Sequence, residues 1–427
     1  GIFPAMARSM TVSAPPASRE TWRRPAPPAP RYYLHGSGAL DFRREISTFL
    51  QVTTEQFDEA RQPRYWQHAV DAFAVQRMYT HPKRTRSLDL ADVHVLGLST
   101  TASMFVHNRT DGRGAPVAHW ARMAAVARAL SESGTPLAAV WANQSCRVLL
   151  LAPSDDSIEG QLSRPLAQLM LARPNVQLAT VDPAFGRVGP NVPYSRLYQK
   201  AITLPYLVRA SFSRYAGGVC AAASTQAGQM GVGGPRRTVV FHGDTGRYDG
   251  GMRGAVRDIL RFVNASDLAS TFRMRFNASA LAPQYALTER AMLKGALCFA
   301  PSGDTPTSRR LFESIATGCV PVITRPHHLW ASHLPFAPLI DWRAIGYFIQ
   351  PAHTSLAHRH AQPAPDDPVW ASRRAEAAWV DAQLYDAPHL LRHTRAMGFG
   401  AFCAHMDPQG NPDGFVHALL VSSATSV

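Results

Sequence analysis

Apolar and polar positions along the chain follow two periods, and the switches between them mark out helices and strands. Residues 55–79 place Phe57, Tyr65, Trp66, Val70, Phe73 and Met78 roughly on one helical face. The apolar run from Val93 to Leu98, after the acidic Asp89 and Asp92, reads as a strand. Residues 117–131 form an Ala-rich helix, and the run from Val148 to Ala152 is a buried strand that ends at Ser154, Asp155 and Asp156. Strands alternating with helices predict a mostly parallel sheet covered on both faces.

The alternation restarts in the second half. Strands are expected at 238–241, 272–276, 297–300 and 320–324, and helices at 252–263, 288–295 and 309–317, with Gly318 as a C-terminal cap. His242 to Gly251 reads as a Gly-containing loop, and residues 369–398 as helical and packed back across the domain junction. Between the halves, residues 216–236 turn to Gly, Ala and Ser, from which no core could be built. The expected division is a disordered Pro/Ala/Arg-rich leader (1–30), an α/β half (31–215), a linker (216–236), a second α/β half with a terminal helix (237–405) and a tail (406–427).

A length of 427 residues suits two such halves and excludes a small disulfide-stapled module. No stretch approaches the roughly 18 consecutive apolar residues of a membrane span. The net charge of +14 invites a nucleic-acid reading, yet Lys83, Lys200 and Lys294 are the only lysines and the arginines are scattered. The five cysteines form no Cys-x-x-Cys pair, and Cys298 and Cys319, in apolar runs, read as small buried hydrophobes. Four of the seven asparagines, Asn108, Asn143, Asn264 and Asn277, begin Asn-x-Ser/Thr sequons, a bias that favours a lumenal protein.

Chemistry concentrates between residues 297 and 324. Ser302, Gly303, Asp304, Thr305, Thr307 and Ser308 put small side chains and exposed N–H groups before a helix N-terminus, which suits a phosphate or diphosphate. Arg309 and Arg310 stand in the first turn, where the helix dipole disfavours cations and a bound anion offsets that cost. Glu313 lies one turn on. Spacing alone leaves a second reading open, in which Asp304 or Thr307 caps the helix and Arg309 and Glu313 form a solvated pair.

The run ALCFAPSGDTPTSRRLFESIATGCVPVIT closely resembles the signature of the exostosin-like glycosyltransferases (glycosyltransferase family 47). That signature has a Cys-Phe strand, Pro-Ser-Gly, Ser-x-Arg, an acidic residue and Gly-Cys-Val-Pro-Val. Here these are Cys298, Phe299, Pro301 to Gly303, Ser308, Arg310, Glu313 and Gly318 to Val322. Weaker likenesses lie at 84–96, 200–209 (KAITLPYLVR), 239–260 and 334–342, so the resemblance spans about residues 31–350.

The resemblance implies a GT-B-like α/β fold with two Rossmann-like domains facing across a cleft, the first holding an acceptor glycan and the second a nucleotide sugar, expected to be a UDP-sugar. It implies that Arg310 neutralises the diphosphate and that Glu313 accepts hydrogen bonds from ribose hydroxyls. Ser302, Gly303, Asp304, Thr305, Ser308 and Arg309 would line the donor pocket, with Gly243 allowing close backbone approach and Arg253 a second phosphate ligand. The family inverts the anomeric centre, and Asp155 and Asp156 are the candidate bases. No Asp-x-Asp motif occurs and no cofactor beyond the donor is expected. His327, His328 and His333, in a Pro-containing loop, specify no metal site, and His353, His358 and His360 lie in a Pro/His-rich stretch.

The family's place is the Golgi membrane, on the lumenal side. A chain that begins at Gly1 rather than Met is expected to have lost an upstream anchor. The partners implied are the nucleotide sugar and an acceptor glycan, not nucleic acid, with homo- or hetero-oligomerisation left open. The family's Gly-x-Asp-His motif is replaced by SCRVLLL, which keeps a glycan-binding pseudoenzyme as the alternative and a basic nucleic-acid binder behind it.

Overall fold

The run VLLL at Val148–Leu151 is buried at every position, as a strand with parallel neighbours on both sides and helices on both faces must be. The computed structural model of the chain describes residues 27–55, 63–107, 117–153, 158–181, 183, 193–225, 237–242, 252–264, 268–271, 278–302, 308–324, 334–350 and 368–425. These fall into two compact units. An N-terminal unit takes Arg24–Leu207, His333–Ile340 and Ala404–Val427, and a C-terminal unit takes Val208–Ser332 and Asp341–Cys403.

The N-terminal unit runs β1 (Tyr32–His35), α1 (Arg43–Glu55), α2 (Pro63–His68), α3 (Val70–Met78), β2 (Arg84–Thr85), β3 (Val93–Leu96), α4 (Thr100–Val106) and α5 (Val117–Ser131). It continues through α6 (Pro136–Ala142), β4 (Val148–Leu151), α7 (Ile158–Leu171), β5 (Val176–Thr180), α8 (Ser195–Gln199) and β6 (Ile202–Thr203). Its strands pair in parallel in the order β2-β1-β3-β4-β5-β6, with Tyr32 beside Val93 and Val148 beside Val176.

The C-terminal unit runs α9 (Ala210–Thr225), β7 (Thr238–His242), α10 (Met252–Leu260), β8 (Leu268–Thr271), α11 (Ala278–Lys294) and β9 (Gly295–Pro301). Then come α12 (Arg309–Ala316), β10 (Val320–Thr324), α13 (Trp342–Ile345), β11 (Tyr347–Ile349), α14 (Pro368–Tyr385) and α15 (Pro388–Ala401). The parallel order is β11-β10-β9-β7-β8, and Val239, Phe241, Val256, Leu297, Phe299 and Val322 lie in its core. Both units are therefore doubly wound, Rossmann-like α/β sheets.

Several expectations need correcting. The Gly/Ala/Ser stretch taken as a linker is helical through Thr225, because its alanines favour helix, and 226–236 lie outside the described residues. The strand expected at 272–276 gives way to β8 at Leu268–Thr271, with 272–277 outside the described residues. Residues 369–398 are two helices, broken at Asp386 and Ala387 with Pro388 opening α15, and both stay in the C-terminal unit.

The expected tail is largely α16 (Pro412–Thr425), whose Phe415, Leu419 and Leu420 are buried in the N-terminal unit. Asp413 at its start takes a two-point grip from Arg77 on α3, at 2.6 and 2.7 Å. Apart from residues 27–30, the leader lies outside the described residues.

The cysteines also depart from expectation. Cys298 on β9 and Cys319 before β10 form a disulfide, and a second joins Cys220 on α9 to Cys403 after α15. The β9–α12–β10 crossover carries the chain back beside the first half of β9, with Val320 opposite Leu297 and Pro321 opposite Cys298, which brings cysteines 21 residues apart together. Cys146 is a free thiol.

Gly318 does cap α12. Its φ is +68°, its N–H donates to Ile315 O at 3.0 Å, and Cys319 N–H reaches back to Ser314 O at 2.9 Å, the paired bonds of a Schellman motif. A Cβ there would also overlap the Phe399 ring. Gly318→Ala is expected to lose more than the roughly 1 kcal/mol of a left-handed Ala, because the ring must move as well. Urea unfolding checks this, and a loss well under that figure would mean Phe399 yields freely.

Candidate functional site

In the C-terminal sheet β7 and β9 are neighbours although β8 separates them in the chain. In a doubly wound sheet the helices that follow such a pair leave on opposite faces, and the carboxyl ends of the two strands are where such sheets take ligands. β7 ends at His242 and β9 at Pro301. The next residue, Ser302, is nearly buried and extends the ladder by donating its N–H to Thr324 O at 3.3 Å. Ser308 stands extended before α12, and its Oγ donates to Pro301 O at 3.4 Å rather than capping the helix.

The first turn of α12 carries the charge. Glu313 exposes none of its side chain, and its Oε2 accepts from Arg310 Nη1 at 2.6 Å. Its Oε1 lies 3.2 Å from Arg309 Nε and 3.1 Å from Arg209 Nε. Arg209 comes from the start of α9, where its carbonyl accepts from Phe212 and Ser213 N–H and its guanidinium lies 4.5 Å over the Phe212 ring. On its other side Arg209 Nη1 is 3.9 Å from Glu289 of α11, a partly exposed carboxylate that also accepts from Ser211 Oγ. Among the described residues, one buried and two partly buried guanidiniums thus meet one buried and one partly exposed carboxylate, a net positive cluster at a helix N-terminus.

Burial alone would raise the Glu313 carboxyl, but the charges of Arg209, Arg310 and Arg309 overcome it and hold the group down at about 2. Burial lowers Arg310 from its ordinary value, and Glu313 opposes that shift. His242 is pushed down to about 4 by burial and then by the Arg310 charge, so it is neutral at pH 7. The edge formed by β7, β9 and α12 therefore presents fixed positive charge beside a neutral imidazole.

The expected pair of Arg309 and Glu313 exists, but it is not solvated. Both oxygens of Glu313 face guanidiniums and none of its surface is open, so in this arrangement it anchors arginines instead of reaching a ribose. Ser302, Ser308, Arg309 and Arg310 share the β9–α12 junction, and Arg253 lies in the first turn of α10, the helix that follows β7 at the same sheet edge. Asp155, Asp156, Gly243, Gly303, Asp304 and Thr305 lie outside the described residues, as do His327, His328, His333, His353, His358 and His360.

Arg209 was not singled out in the sequence, although it closes the KAITLPYLVR segment, because nothing there shows that α9 packs on α12. A second unforeseen feature lies at the matching β1/β3 switch of the N-terminal unit. There His35 Nε2 and His94 Nδ1 are 3.2 Å apart, and burial, then the neighbouring His94, puts His35 at about 4.

Residues 204–362 match the Exostosin GT47 domain, and this stretch contains Arg209 and the whole α12 cluster. Over that stretch the chain is similar to the exostosin-like glycosyltransferases. Among curated relatives, "Probable arabinosyltransferase ARAD1" of Arabidopsis thaliana is 29% identical over 170 residues, 39% of this chain and 31% of the relative. "Probable glucuronosyltransferase Os04g0398600" of Oryza sativa subsp. japonica is 30% identical over 99 residues, 23% of each chain. The matches thus span about a third or less of these relatives' length. The solved structure of Arabidopsis thaliana UGT89C1 complexed with UDP aligns over 93% of this chain and 100% of its own at TM-score 0.34 and 12% identity, too loose an overlap to carry an argument.

Removing the central carboxylate tests the cluster. Glu313→Gln leaves three guanidiniums facing a neutral amide and is expected to cost about 3–5 kcal/mol by urea unfolding, with Arg209→Met in the same chain recovering part of it. The Glu313 carboxyl lies below its ordinary 4.5, so its stabilisation is complete above that pH and is lost as pH falls towards about 2. The stability gap between wild type and Glu313→Gln should shrink over that window. A gap independent of pH would show that Glu313 is not ionised there.

Proposed function

We propose that this chain is an inverting glycosyltransferase that moves a sugar from a nucleotide diphosphate donor, with uridine as the base, to a polysaccharide or glycoprotein glycan. The observation that supports this most directly is the net positive cluster of Arg209, Arg309 and Arg310 around Glu313 at the β7/β9 switch point. A diphosphate is the anion that fits a helix N-terminus flanked by guanidiniums. The exostosin GT47 match over the same residues, and relatives described as arabinosyl- and glucuronosyltransferases, point to sugar transfer.

In the reaction an acceptor hydroxyl oxygen attacks the anomeric carbon as the bond from that carbon to the diphosphate oxygen breaks. Negative charge grows on the leaving diphosphate, so cations fixed in place beforehand stabilise the transition state more than the ground state. Glu313 and the packing of α9 on α12 keep the guanidiniums aimed without reorganisation. The acceptor's proton goes to a carboxylate, for which we assign Asp155 or Asp156 in the segment after β4. The Golgi lumen is the compartment we infer, in keeping with the family's usual place, the two disulfides and the sequon bias.

Thermal melts with uridine and guanosine diphosphates and their sugars test the reading. A rise in Tm with uridine nucleotides is expected, together with donor hydrolysis for one sugar. Arg310→Ala should weaken nucleotide affinity about 10- to 100-fold, the loss of one charge-assisted phosphate contact. Arg310→Lys should restore only part, since an ammonium cannot grip two oxygens in a fork. If calorimetry finds no nucleotide bound to a folded protein, the proposal fails.

A further inference from the structure

Of the four sequons, Asn143-Gln144-Ser145 is the one whose three residues are all described. It forms the turn that leaves α6, and Ala142 through Ser145 are exposed. Backbone bonds fix the turn: Asn143 N–H donates to Ala139 O at 3.0 Å, and Asn143 O accepts from Cys146 N–H at 3.2 Å. Asn143 Oδ1 accepts from Ser145 Oγ at 2.7 Å and from Ser145 N–H at 3.0 Å. Both bonds draw electron density toward the carbonyl oxygen, and the hydroxyl contact ties the third residue of the sequon to its first. Nδ2 has no hydrogen-bond partner among the described residues, and Asn143 is exposed.

Place within the unit also favours modification. The turn leads into β4 at its amino end, the edge opposite the one where a doubly wound sheet takes its ligands. A bulky, hydrated glycan there would obstruct neither the carboxyl edge of the sheet nor a buried face. The disulfides Cys220–Cys403 and Cys298–Cys319 independently indicate an oxidising compartment, the same route on which asparagines are glycosylated.

We infer that Asn143 carries an N-linked glycan. In the transfer, the bond between C1 of a lipid-diphosphate-linked oligosaccharide and its phosphate oxygen breaks, and the leaving lipid diphosphate takes the bonding pair. A bond from Asn143 Nδ2 to C1 forms, and one Nδ2 proton passes to a base of the host's membrane-bound transferase. Nothing in this step depends on the protein's own sugar-transfer reading.

The test is expression of the full chain through a eukaryotic secretory pathway, followed by peptide mapping after enzymatic deglycosylation in heavy-oxygen water. The Asn143 peptide is expected to be converted to labelled aspartate. Ser145→Ala should abolish that label and remove one glycan's mass, while Ser145→Thr keeps both. All three proteins should melt together once deglycosylated, since these side chains lie on the surface. An unmodified Asn143 as the main species of folded, secreted protein, or a glycan that persists in Ser145→Ala, would overturn the proposal. Nucleotide binding measured on the same samples reads the enzyme proposal separately.

Discussion

Taking the Glu313 carboxylate out of water costs several kcal/mol, and only the guanidiniums around it can repay that. The dependence runs both ways. Arg309 and Arg310 occupy the turn of α12 where the helix dipole repels cations, and Arg209 is itself nearly inaccessible. Without the carboxylate the three guanidiniums would repel one another, with Glu289 left as a counter-charge to Arg209. Two turns of chain distant in sequence, the start of α9 and the start of α12, are thereby held to one geometry.

The far end of α12 is fixed by different physics. Gly318 closes the helix with backbone bonds, the Phe399 ring fills the space a side chain would need, and the Cys298–Cys319 bridge ties the following strand to β9. A helix clamped at both ends holds its first turn still against the ends of β7 and β9. Rigidity of this kind is what electrostatic catalysis requires, because a cation that must swing into place loses part of its effect to reorganisation.

The strands from 297 to 324 and the cap at Gly318 were legible because buried parallel strands are unbroken apolar runs and a cap has its own residue type. The arginines of α12 were legible through a family signature confined to one βαβ unit. What failed needed information from elsewhere in the chain. Arg209 joins the cluster through the packing of α9, and Cys220 meets Cys403 across 183 residues. Composition misled at 216–225, where small residues read as a linker although alanine is the strongest helix former. It misled again at α16, whose apolar sequence was a docking face and not a tail.

The arginine bias of the chain also takes on a local meaning at this site. A buried lysine readily gives up its proton as burial lowers its pKa, whereas a guanidinium starts so high that lowering Arg310 leaves it charged at any physiological pH. Its planar fork can hold Glu313 with one edge and offer the other to a phosphate, which a lysine ammonium cannot do. The overall +14 is a diffuse property of the surface, while the few charges that matter chemically are those the fold has buried together. Net charge alone invites a polyanion as partner, a reading the scattered arginines already argue against. The geometry of the described residues favours a much smaller anion, because Arg209, Arg309 and Arg310 converge on one carboxylate at the start of α12 and are not strung out along a surface.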